Sequence, residues 1–201
     1  MLNVSEEYQK KKFEIQSKLE EFEKNKDLDN DDLFLELCFC LSTPQSKAEM
    51  AEKVINKKNK NLLIYGSEKE VANLLKGFVR FHNKKACYIV KARKFMDLLT
   101  NLPEDSEEAR DFLVKNIDGL NMKEASHFLR NIGYRNLCII DGHITNCLCD
   151  LKVIDERKRP SSKKEYLEVE QKMKDYSKKV NIDVDVLELL FWSSKTGKII
   201  K

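Results

Sequence analysis

Apolar residues recur at spacings of three and four along nearly the whole chain, the period of helices with one buried face. Val4, Tyr8, Ile15, Leu19 and Phe22 fall near one side of a helix predicted over 3–25, and a polar break follows at Asn25 to Asn30. Leu33, Phe34, Leu37, Cys38 and Leu41 mark a largely buried helix. It stops before Thr43-Pro44, because the residue preceding a proline resists α geometry. Thr43 is placed to cap the next helix, with Pro44 in its first turn. Ser67 and Glu70 have capping-box spacing, which predicts a helix over 67–76 ended by Gly77. A further long helix is expected from Phe81 to Leu99, and another from a Ser106 cap to about Ile117. Asp118 to Met122 is a tight connection into a helix from Lys123 to Ile132, stopped by Gly133. Asp141 is placed to cap a helix running to about Leu151. Ser162 and Glu165 repeat the capping-box spacing before a lysine-rich helix, and a last helix covers about 183–194. One segment, Leu137 to Ile140, has strand character, with nothing to pair with it. The expected fold class is all-α.

Composition agrees with that pattern. Only 6 Gly and 3 Pro occur in 201 residues, too few for a turn-rich β architecture. Hydrophobic residues make up 41% and charged residues 35%, which describes a globular chain with a dense charged surface. No apolar run approaches the roughly 18–20 residues that span a bilayer, and the stretch from Met1 to Lys12 is too polar for a secretory signal. The expectation is therefore a cytoplasmic protein with no membrane partner, whose six cysteines stay reduced. The net charge of +3 does not by itself announce nucleic-acid binding, since affinity follows the local field. Lys163, Lys164, Lys172, Lys174, Lys178, Lys179, Lys195, Lys198 and Lys201 enrich the C-terminal quarter. A solvated helix face and a DNA-facing field both account for them.

The chemistry is concentrated in residues 108–150. Two helices joined by a short glycine-bearing hairpin make a helix-hairpin-helix, whose backbone N–H groups beside a helix N-terminus bind phosphate without reading sequence. Gly119, Asn121 and Met122 are the candidate phosphate contacts. Gly119 permits close backbone approach, and Asn121 stands where a second glycine would be usual and tolerates left-handed geometry. Lys123 opens the second helix. The chain then returns through Tyr134 to Ile140 and reaches Asp141, a path that can set an amine and a carboxylate on opposite walls of one cleft. Taken singly, each has a plainer reading, a surface lysine and an N-cap aspartate. Cys38-x-Cys40 and Cys147-x-Cys149 lack Cys-x-x-Cys spacing. His143 and Cys147 share a helix face, but two ligands do not complete a metal site, so no metal or other cofactor is expected.

The string Gly119-Leu120-Asn121-Met122-Lys123-Glu124-Ala125-Ser126-His127-Phe128-Leu129-Arg130-Asn131-Ile132-Gly133-Tyr134, followed by Ile140-Asp141-x-His143, resembles the compact second-type 8-oxoguanine DNA glycosylase/AP lyases of the helix-hairpin-helix DNA glycosylase superfamily. Leu41-Ser42-Thr43-Pro44-Gln45-Ser46-Lys47-Ala48, Val79-Arg80-Phe81 through Lys85-Ala86, and Trp192-Ser193-Ser194-Lys195-Thr196-Gly197-Lys198 fit the same family. The resemblance implies a bifunctional enzyme that removes 8-oxoguanine from double-stranded DNA and nicks the strand, with Lys123 as Schiff-base nucleophile and Asp141 assisting. A lysine of reference pKa about 10.4 must be lowered by desolvation or neighbouring positive charge to attack as free amine. The resemblance also implies that Trp192 and Phe81 stack on the extruded base, that Lys201 contacts the lesion, and that Gln45 and Ser46 approach base or backbone. Gly142 departs from the family, which more often carries a larger, basic residue after the aspartate. The implied architecture is a central lobe over 42–133 ending in the hairpin motif (about 108–133), a second lobe from 1–41 plus 134–201, and an interlobe DNA-binding cleft. The expected molecule is a monomer, nucleoid-associated if prokaryotic. A same-superfamily enzyme for another damaged base, a non-catalytic hairpin DNA-binding module and a helical interaction protein are the alternatives.

Overall fold

The computed structural model describes residues 3–197 and 199, and among them every regular element is helical. The chain divides into two compact units, Asn25–Ile132 and Met1–Lys24 with Gly133–Lys201. The second division falls within a residue of the expected 133/134 boundary. The first falls at 24/25 and not at 41/42, because the helix over Asn30–Ser42 packs on the central helices.

In chain order the helices are α1 (Val4–Lys24), α2 (Asn30–Ser42), α3 (Ala48–Glu52), α4 (Lys60–Tyr65), α5 (Glu68–Leu75), α6 (His82–Ala92), α7 (Ser106–Asn116), α8 (Met122–Asn131), α9 (Gly142–Asp150), α10 (Lys163–Val180) and α11 (Val184–Thr196). None of them is long and apolar enough to cross a membrane. Local chemistry explains most boundaries. Ser67 and Glu70 form the reciprocal capping box. Ser162 accepts from the Glu165 amide, but the Glu165 carboxylate turns instead to the amide and hydroxyl of Ser161.

Four boundaries differ from expectation. Thr43 does not cap the following helix. Its amide donates to Phe39 and its hydroxyl to Cys40 O, so it closes α2, and α3 begins only at Ala48. Gln45 and Ser46 therefore lie in the intervening turn and do not open a helix. The 81–99 helix is broken at both ends: Phe81 is left-handed (φ 58°), and winding tightens to 3₁₀ over Arg93–Asn101. At that point the Arg93 side chain is drawn to Leu63 O, with Nε at 3.0 Å. The cap of α7 is Asp105, whose carboxylate accepts from Glu107 and Glu108 N–H, which leaves Ser106 inside the first turn.

Leu137 to Ile140 is extended without forming a strand, and side chains take the place of a partner strand. Asn136 N–H meets both Asp185 oxygens at 3.1 Å, Cys138 N–H meets Glu170 Oε1 at 2.8 Å, and Ile140 N–H meets Tyr166 Oη at 3.1 Å. The Tyr166 hydroxyl in turn donates to Cys138 O. The amides of Asn136, Cys138 and Ile140, every second one, face α10 or α11. The bonds at Cys138 and Ile140 are buried and those at Asn136 part-buried, and together they hold the segment that ends at Asp141. A Tyr166→Phe variant is expected to lose about 1–3 kcal/mol through the unsatisfied Ile140 amide, read from the urea unfolding midpoint.

In the central unit, α2 is apolar almost all round and packs against α4, α6, α8 and the 3₁₀ segment, with Phe34, Leu37, Phe39 and Leu41 fully covered. A buried polar network holds α8 in place. Asn131 Nδ2 donates to Glu36 Oε1 at 2.7 Å, Arg130 donates to Asn131 Oδ1, Arg110 reaches Ser126, and Asn25 Nδ2 caps Asn131 O at 2.8 Å. The network fixes the helix whose first turn carries Lys123.

Candidate active site

The hairpin between α7 and α8 is built around Gly119, at φ +93°. A Cβ there would lie 2.4 Å from Tyr88 Cδ2, so the glycine is required by packing as well as by its dihedral angle. Gly119→Ala is expected to cost more than about 1 kcal/mol, measured by chemical denaturation. Asn121 is not left-handed. It is extended (φ −105°, ψ −178°), and its side chain makes no cap bond to α8. Met122 is buried in the first turn.

Lys123 follows, its side chain 28% exposed, with Nζ 3.2 Å from Glu124 Oε1. Glu124 itself is buried. A second lysine, Lys85, is close enough to share this field. It is buried on α6, and its Nζ donates to Ser42 O and Pro44 O at 2.7 Å and to Ser46 Oγ at 2.9 Å. Burial first, then the charges of Lys123 and Arg80, push its pKa down to about 8, and Glu124 opposes the shift. Lys85 was not among the sequence candidates. The available signal was its place on one stripe with Ile89 and Ala92, both buried.

The structure brings three of the sequence candidates together around Lys85. Gln45 is left-handed (φ 56°) in the turn that Lys85 grips. Ser46 Oγ accepts from both Lys85 and the Arg80 amide, the latter at 2.9 Å. Phe81 is no core residue: it is 56% exposed, with the Arg80 guanidinium 5.6 Å from the ring centre.

In the other unit, Asp141 caps α9, its Oδ1 accepting from His143 N–H at 2.8 Å and Ile144 N–H at 2.9 Å. Behind Gly142 the space a side chain would occupy is filled by Arg159: a Cβ there would lie 2.7 Å from its Nη2. Trp192 on α11 is half-buried, edge-on to His143 with ring centres 6.3 Å apart. Cys147 faces Phe191 O and Ser194, and burial raises its thiol pKa. Lys201, expected to contact the lesion, lies outside the described residues.

An all-helical chain whose glycine hairpin leads into a helix with a part-exposed lysine in its first turn has the build of a helix-hairpin-helix DNA glycosylase. Residues 15–182 match the family model described as Ogg-HhH, 8-oxoguanine DNA glycosylase, and the chain belongs to that family. It is 43% identical over 182 residues to the 8-oxoguanine DNA glycosylase/AP lyase of Fusobacterium nucleatum, covering 86% of this chain and 83% of that protein. Among solved structures, it superposes on the Methanocaldococcus jannaschii 8-oxoguanine glycosylase/lyase in complex with a 15mer DNA containing 8-oxoguanine, with TM-score 0.92, 36% identity and 100% of both chains covered. The Thermotoga maritima 8-oxoguanine DNA glycosylase gives TM-score 0.91 at 32% identity over 98% of this chain and 96% of that one.

Proposed function

We propose that this protein removes 8-oxoguanine from duplex DNA and cleaves the strand at the resulting site, with Lys123 as nucleophile. The observation that carries this reading is the Lys123 amine, part-exposed in the first turn of α8 just past the hairpin, in a chain of the 8-oxoguanine DNA glycosylase family. The hairpin amides of Gly119, Asn121 and Met122 hold a phosphate beside the helix N-terminus. The damaged nucleotide leaves the stack, and its base stacks on aromatic side chains, for which Phe81 and Trp192 are the candidates; Gln45 and Ser46 approach base or backbone, and Lys201 contacts the lesion.

Lys123, as free amine, forms a bond to C1′ while the bond from C1′ to the base breaks. The base leaves with the electron pair and takes up a proton. Asp141 offsets the positive charge that develops on the sugar. Loss of a proton from the amine and opening of the sugar ring at O4′ give the Schiff base. Removal of a C2′ proton then expels the 3′ phosphate by β-elimination, and water releases Lys123. Genomic DNA is the partner, which fits a cytoplasmic protein, nucleoid-associated if the cell is prokaryotic.

A duplex bearing one 8-oxoguanine tests the proposal, with free base and strand scission scored separately. Both products are expected. Salt-dependent binding with neither product would leave a non-catalytic DNA-binding module, and release of other damaged bases alone would move the specificity elsewhere in the superfamily.

A further inference from the structure

We propose that Lys85 is a positioning residue for base recognition: its ammonium pins the 42–46 turn so that Gln45 and Ser46 are held beside the Phe81 ring. The inference rests on the glycosylase reading above. A lysine is seldom buried without a partner, and Lys85 donates to two carbonyls and a hydroxyl. An ammonium has three donors and no acceptor capacity, and these three oxygens match it one for one. Ser42 is the last residue of α2, so its carbonyl is one of the groups a helix end leaves without an intrahelical partner, at the end where a cation is favoured.

What the pin holds is a strained piece of backbone. Gln45 and Phe81 are both left-handed non-glycine residues, a conformation that persists only where the surroundings impose it. The Ser46 hydroxyl ties the two together, since it accepts from Arg80 N–H on one side of Phe81 and from Lys85 Nζ on the other. Without the ammonium, Ser42 O and Pro44 O lose a charged donor, and Pro44 O keeps only a long 3.5 Å bond from the Ser46 hydroxyl. Burial lowers the pKa of Lys85 to about 8, so the group is mostly charged, and able to donate three times, at neutral pH.

An abasic site has no base to read, which separates this role from general support of the fold or of Lys123. In a Lys85→Met protein, single-turnover release of 8-oxoguanine is expected to fall about 10²-fold, the scale of a misplaced binding group. Nicking and borohydride trapping on a preformed abasic duplex should persist in the same preparation. Lys85→Gln, which keeps N–H donors without the charge, carries the same comparison if the methionine variant does not fold, and should show an intermediate loss of base release. Equal loss of base release and abasic nicking would overturn the proposal, as would unchanged base release. If the wild-type protein nicks abasic duplex yet releases no 8-oxoguanine, the functional reading fails first. If the wild type releases it and the variants match it, only the role of Lys85 fails.

Discussion

A Lys123→Gln protein is expected to give no covalent adduct when borohydride is added to its mixture with damaged duplex, whereas the wild-type protein is trapped. The physical reason is that a glutamine amide has no basic lone pair to offer C1′ and cannot form an imine. Base release and strand nicking should both fall by at least about a thousandfold, the scale on which removing a covalent nucleophile acts. The fold should tolerate the change. The Lys123 side chain is part-exposed and pairs with the adjacent Glu124; such pairs contribute about 0–1 kcal/mol, and glutamine still offers that carboxylate an N–H. A trapped adduct on the glutamine protein would assign the chemistry to another amine.

Asp141 allows a cleaner separation of structure from chemistry. Its carboxylate caps α9 through Oδ1, and asparagine is as good a cap as aspartate. Asp141→Asn should therefore leave the unfolding midpoint in place while removing the charge. Base release is expected to fall about 10²–10⁴-fold, as when a group that assists proton transfer or charge development is lost. Asp141→Ala should show the same kinetic loss together with about 1 kcal/mol of destabilisation from the missing cap. Single-turnover kinetics and denaturant titration on the two variants distinguish the cases. Wild-type rates in the asparagine protein would reduce Asp141 to a helix cap.

The helices that sequence alone located well are those whose ends carry their own signals. Ser67 with Glu70, Asp141 and Gly133 act on backbone groups within four residues, so their consequences are local. Lys123 and Asp141 stood out through two neighbouring strings resembling one family, and the structure adds the setting of each within its own unit. The features that were missed depend on contacts across the sequence. Nothing near Lys85 indicates that its acceptors lie 39 to 43 positions earlier. Thr43 has the composition of a start cap, but its hydroxyl turns back to Cys40. Phe81 sits inside an apolar helical pattern, yet its left-handed backbone is tied to a turn far upstream through the neighbouring Arg80 amide.

Leu137 to Ile140 brings four buried apolar residues together in extended chain. Stretches of that kind, with open amides, recruit other molecules by edge pairing and seed aggregates. Here Asp185, Glu170 and Tyr166 already occupy alternate donors, so an incoming strand would have to displace buried carboxylates and a phenol before its first rung could form. The same three side chains that steady the approach to Asp141 thus guard the folded protein against self-association through this segment.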